Sequence, residues 1–156
     1  MSKYSPTEFW VGAKYYQGTR SPNNAEREDI GYSSAWLHHK GRNKHHYEYW
    51  IDYSMQALPG GMAPVPMPDK YIAEMIMDRI AASKVYMGGE YTDRSPLNYY
   101  YQGTDRAPIH PETKAKLLYV LEMLAEEGEE KTFRFIKEEL VQHKRCMDWH
   151  QLEKAE

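Results

Sequence analysis

Four of the chain's 7 histidines fall in one short run, Ala35-Trp-Leu-His-His-Lys-Gly-Arg-Asn-Lys-His-His-Tyr-Glu-Tyr-Trp50, a clustering that composition does not explain. His38 and His45 are seven residues apart, as are His39 and His46, so each pair shares a face if one helix runs through them. Imidazole is the commonest side-chain ligand of divalent transition metals, and four of them can supply two or three ligands with support left over. The plainer alternative is a polar helix face whose histidines cap, stack or stay solvated. Lys40, Arg42 and Lys44 interleave with the histidines and no acid lies among them. A metal beside fixed positive charge suits a phosphate ester: the ion activates water, the cations hold the non-bridging oxygens, and Asn43 is placed to orient a ligand.

Helical metal sites also draw carboxylates from another helix. Glu74 and Asp78 are four residues apart, one turn along the same face of a helix expected to start at Pro68, with Arg79 beside them. Asp78 sits in sequence among Met75, Ile76, Met77, Ile80 and Ala81, where a buried carboxylate needs a partner or a metal. Its alternative is a surface acid paired with Lys70 or Arg79. His110 precedes Pro111 and reads as a helix cap. His143 and His150 fall in a polar C-terminal helix with only Asp148 near. The chain carries no Gly-rich phosphate loop, no serine nucleophile elbow and no zinc-finger spacing.

The elements that must position these residues read as helices. Ser5-Pro6-Thr7-Glu8 offers an N-cap, a proline at the first helical position and a glutamate to close a capping box, so a first helix is expected from Pro6 to about Gln17, stopping at Gly18. Thr19 to Asp29 has loop composition. From Ile30 through the histidine run to Ile51 the pattern suits one long helix, or two bent at Gly41. Leu58 to Pro68 is a Pro/Gly loop. Beyond it, Tyr71, Ile72, Met75, Ile76 and Ile80 form an apolar stripe at helical spacing, and Gly88-Gly89 ends that helix. Ser95-Pro96 opens a short helix to Gly103, and His110-Pro111 opens another that ends near Gly128. A last helix turns Phe133, Ile136, Leu140 and Val141 inward. Tyr-Tyr-Gln-Gly-Thr occurs at Tyr15–Thr19 and again at Tyr100–Thr104, which points to shared start and stop chemistry of short helices. No segment alternates with period two over any length, so the fold is expected to be all-α, a compact helical bundle of about five to seven helices.

Length and charge bound the function classes. At 156 residues and 18.4 kDa the chain is expected to make a single domain over 1–156. With 41% hydrophobic and 28% charged residues it has the surface to build a core. A formal charge of -3 excludes a globally basic nucleic-acid coat, though not a local patch. No run approaches the ~20 apolar residues of a membrane helix, and no signal-peptide core follows Met1, so a cytoplasmic protein is expected. The lone cysteine, Cys146, excludes an internal disulfide and reads as an incidental thiol.

The stretches Ser2–Phe9, Ala35–Trp50, Met67–Ile80, Ile109–Thr113 and Gly128–Phe135 together resemble a domain family of unknown function common in clostridial genomes and their phages, some of whose members carry the label catalase. The resemblance covers nearly the whole chain, and its histidine-rich run is specific. Longer members of that family carry a further helix with a histidine, then a His-Asp pair, before the Ser2–Phe9 stretch. That order, ending in paired histidines and a later aspartate, is similar to HD-type metal-dependent phosphohydrolases. The resemblance implies an HD-like fold in which His38, His39, His45, His46 and Asp78 are surviving metal ligands or their supports. It also implies an N-terminally shortened chain, since Met1 falls just after the expected His-Asp pair.

The resulting expectation is a metal-dependent phosphohydrolase-like protein acting on a nucleotide or nucleic-acid phosphate ester. A divalent ion (Mn, Fe, Ni or Zn) held by the histidines and Asp78 activates water, Glu74 or a spare histidine manages the proton, and Lys40, Arg42 and Lys44 stabilise the phosphoryl charge. The competing class is a non-enzymatic phage or mobile-element protein that engages nucleic acid or a host defence complex through its tyrosine-rich surface. A third is a helical domain that buries Tyr- and Met-rich faces against a second copy, as a homodimer.

Overall fold

The computed structural model describes residues 5–18, 20–55 and 61–143. Cys146, Asp148 and His150 lie outside the described residues, as do Ser2 to Tyr4 of the first motif. The fold is mostly helical, with seven α-helices and one two-stranded hairpin among the described residues. None of those helices is long and apolar enough to cross a membrane. The chain divides into two compact units, residues 1–49 and 50–156.

The first unit holds α1 (Pro6–Lys14), α2 (Pro22–Ile30) and α3 (Ser34–Arg42), with α1 packed on both of the others. The capping box expected at Ser5 is formed: the Ser5 hydroxyl accepts from the Glu8 amide, and the Glu8 carboxylate accepts from the Ser5 amide at 2.6 Å. α1 ends at Lys14, three residues before the expected stop at Gln17. The stretch read as loop holds a helix instead. Pro22 sits in the first turn of α2 behind Ser21, and Gly31, at φ 84°, closes its other end in the left-handed conformation that glycine adopts without strain. Loop composition there was start-and-stop chemistry around nine helical residues.

The long helix expected through the histidine run also does not form. α3 stops at Arg42, not Gly41, because Asn43 is extended (φ −116°, ψ 107°) and its side-chain amide donates to the His39 carbonyl at 2.7 Å. That bond satisfies a carbonyl the helix would otherwise leave open. Beyond it the His46 amide donates to the Asn43 carbonyl and the Tyr49 amide to the His46 carbonyl, through a 3₁₀ turn at Tyr47–Tyr49.

The second unit opens with a hairpin, β1 (Ile51–Tyr53) against β2 (Met62–Pro64), antiparallel with Asp52 opposite Ala63. Each strand is three residues, too short for period two to show, and the fold is mostly helical as expected. α4 (Asp69–Met87) starts behind Pro68 as expected and buries Ile72, Met75, Ile76 and Ile80. α5 (Ser95–Tyr101) and α6 (Pro111–Glu127) follow, with the His110 ring accepting from the Glu112 amide at 3.3 Å as the expected cap. α7 (Glu129–Phe135) continues as a wider π-type turn over Ile136–Val141. Ile136 and Leu140 point inward, Phe133 is half-buried, and Val141 is exposed, contrary to expectation. Thr132 takes the buried place one turn earlier, its hydroxyl returned to the Gly128 carbonyl. His143 lies past the end of this helix, 3.7 Å from an Asp69 carboxylate oxygen.

Candidate metal centre

The turn after Asn43 folds the second pair of histidines back onto α3. His39, His45 and His46 each place a ring nitrogen within 4.8 Å of the others. The rings of His45 and His46 lie 4.3 Å apart between centroids, and His39 lies 4.9 Å from His46 and 6.1 Å from His45. His45 is buried, and the Nε2 atoms of both His45 and His46 are shielded from solvent. Trp36, one turn before His39 on α3, stacks on that ring and meets His46 edge-on at 4.8 Å. Indole and imidazoles thus make one aromatic cluster with nitrogens inside it.

His39 and His46 do meet, as spacing suggested, but across a turn and not along a helix face. His38 and His45 take different environments. His38 points its Nδ1 at the Glu8 carboxylate (3.1 Å) and the Ser5 hydroxyl (3.2 Å), with nearly half of its side chain exposed.

Glu8 is the residue that spacing could not reveal. It is the one buried side chain of α1, while the neighbouring Phe9 and Trp10 are 65% and 71% exposed, an inversion of the usual pattern. One carboxylate oxygen faces His38 Nδ1, His39 Nδ1 (3.5 Å) and Arg42 Nε (3.3 Å); the other accepts from the Ser5 amide and Arg42 Nη2. Burial pushes its carboxyl up, but the Ser5 amide, the His38 ring and the Arg42 guanidinium with its charge outweigh that and hold it at about 2. The sequence shows only the capping box, which by itself accounts for a glutamate at that place.

Arg42, the middle cation of the expected three-cation clamp, also holds Glu8 through its Nε and Nη2. Lys40 is half-buried, and Lys44 is exposed with its ammonium 5.8 Å from the centre of the Tyr49 ring. Glu74 and Asp78 both belong to α4 of the second unit, four residues apart as expected; Glu74 is exposed and Asp78 half-buried.

Do these residues suit a metal? Three imidazoles on one ion at 2.0–2.1 Å hold their nitrogens about 3.0–3.4 Å apart, so nitrogens already within 4.8 Å of one another need side-chain movements of about an ångström. Glu48, on the 3₁₀ turn, has a carboxylate oxygen shielded from solvent, but among the described residues the converging ligand atoms are the three imidazoles alone. The donor set fits a divalent transition ion, with nitrogen donors suited to Zn, Ni or Fe.

The model of a family of unknown function, DUF5662, matches residues 1–123. The chain belongs to this family. The match spans Glu8, the whole histidine run and α4, together with most of α6. No curated protein and no solved structure matches the chain.

Proposed function

We propose that the chain is a metal-dependent hydrolase of phosphate esters, acting on a nucleotide or nucleic acid, with His39, His45 and His46 as its ion-binding residues. The observation that carries this reading is the convergence of three imidazole nitrogens, with the Nε2 atoms of His45 and His46 shielded from solvent, beside a carboxylate held ionised at Glu8. Bound there, a divalent ion supplies Lewis acidity and an activated water. The chain's own residues supply the rest. Trp36 fixes the ring planes by stacking on His39 and meeting His46 edge-on, and Asn43 sets the turn that presents His45 and His46. Lys40 and Lys44, between His39 and His45 in sequence, carry the phosphate-binding role, while Arg42 keeps Glu8 ionised.

The test is hydrolysis of bis(p-nitrophenyl) phosphate, nucleotides and single-stranded RNA, each with added Mn, Fe, Ni or Zn. Turnover that depends on the ion and disappears in His45→Ala, with melting temperature unchanged, supports the reading. No turnover with any ion on any of these substrates contradicts it.

A second reading, a non-enzymatic protein that binds nucleic acid or a host defence complex, is favoured by the exposed Phe9 and Trp10, whose rings meet edge-on at 6.0 Å, and by Tyr16 at 73% exposure. Exposed rings of this kind stack on unpaired bases. Salt-dependent binding of single-stranded RNA without hydrolysis would favour it.

A further inference from the structure

Glu8 reaches across thirty-one positions of sequence to a ring of the imidazole cluster. Its Oε1 lies 3.5 Å from His39 Nδ1, and its side chain is only 4% exposed. We infer that Glu8 is the positioning residue of the metal centre: it accepts from His39 Nδ1–H, fixes that tautomer, and so presents Nε2 of His39 as the coordinating nitrogen. This rests on the metal reading above.

The physical case has two parts. A neutral imidazole carries one N–H, and the partner of that N–H decides which nitrogen keeps a lone pair for a metal. Two groups of opposite demand approach Nδ1 of His39. The Asn43 amide approaches it at 3.3 Å and could donate to an unprotonated nitrogen, whereas Glu8 can only accept from a protonated one. Asn43 has two N–H donors and keeps its 2.7 Å bond to the His39 carbonyl whichever tautomer is present, so a protonated Nδ1 costs it only the longer of its two contacts. A bond to an ionised carboxylate is about twice as strong as one between neutral groups, and a buried anion forgoes it at high cost. The balance favours Nδ1–H facing Glu8. Carboxylates behind metal-bound histidines raise ligand basicity and hold ring orientation in the same manner. Arg42 and Ser5 in turn hold Glu8, so the chain runs from the α1 cap through the carboxylate to the cluster.

The experiment uses full-length protein labelled with ¹⁵N-histidine. Long-range ¹⁵N–¹H spectra of the metal-free protein should show His39 as the Nδ1–H tautomer, and after zinc addition the same ring should be bound through Nε2. An Nε2–H tautomer, or coordination through Nδ1, overturns the assignment. In Glu8→Gln, zinc affinity should fall about 10- to 100-fold with the fold retained; unchanged affinity overturns it too. Should that variant not fold, the wild-type tautomer and coordinating nitrogen decide the matter alone. Wild-type protein that takes up no zinc refutes the metal reading, and with it the role given to Glu8, whereas zinc bound with the wrong nitrogen refutes only the role.

Discussion

The two units of this chain are held together by different chemistry. In the second, the fully enclosed side chains are mostly apolar: Ile72 and Ile76 of α4, Leu117, Val120, Leu121 and Leu124 of α6, and Leu140 beyond α7, with Tyr100, Thr113 and Thr132 as the enclosed hydroxyl-bearing residues. In the first, the buried residues among those described are Glu8, Ala25, Glu26, Ser33, Ala35 and His45. Two alanines bury little area, so polar networks must hold those three helices in place. Glu26 shows how: its carboxylate accepts from the hydroxyls of Ser33 and Ser34 and from the Ala35 amide, capping the N-terminus of α3. Glu8 ties α1 to the later part of that helix instead, through the side chains of His38 and Arg42. An apolar core is indifferent to pH and metal. A polar one is not, and the histidine cluster has been built on the polar one.

Breaking the apolar side should give the largest effect. Leu121→Ala removes a fully buried side chain from α6 and should cost about 2–5 kcal/mol in chemical denaturation while leaving metal uptake per folded chain unchanged. Loss of metal uptake in the folded fraction would show that the contrast is drawn too sharply.

Acid separates the units next. Both buried carboxyls of the first unit are lowered in the folded state, Glu8 to about 2 from 4.5 and Glu26 in the same direction, the latter because its serine and backbone hydrogen bonds exceed the cost of burial. A lowered folded pKa stabilises fully above the unfolded value and is lost as pH falls through the folded one. Stabilisation should therefore be complete above pH 4.5 and decline towards pH 2, with about 3 kcal/mol at stake from Glu8. Hydrogen exchange measured at pH 3 should show α1 to α3 losing protection before α4 and α6. Simultaneous loss would contradict it.

Asn43→Ala sharpens the comparison within the first unit. It removes the side chain that ends α3 and should cost about 1 kcal/mol, with a larger proportional loss in metal affinity because His45 and His46 depend on the turn that follows. Equal loss by both readouts would reduce Asn43 to a cap. The smallest effect belongs to Arg20→Ala, which breaks an exposed pair with Glu28 at 2.7 Å and should change stability by less than about 1 kcal/mol.

Local signals in the sequence were legible wherever the chemistry was local. Ser5-Pro6 with Glu8, Pro68 before α4 and His110-Pro111 all mark helix starts that the structure keeps, and the stripe of α4 is its buried face. α2 was missed because Ser21-Pro22 and Gly31 looked like turn residues and its nine positions carry little apolar periodicity. The histidine run was recognised as a cluster, but its geometry was misread. A helix through it was the natural extrapolation, and one side-chain bond from Asn43 to a backbone carbonyl diverts the chain. The role of Glu8 beyond its capping box was invisible for a plainer reason: its histidine and arginine partners lie thirty or more residues away, and only folding brings them to it.

The measurement that bears most directly on the account is zinc titration of the metal-free protein, with His45→Ala and the neighbouring His38→Ala in parallel. Three converging imidazoles predict one tightly held ion per chain, binding lost in His45→Ala and largely kept in His38→Ala, whose ring sits on Glu8 outside the cluster. Equal binding by wild type and His45→Ala, or loss in His38→Ala alone, would contradict it.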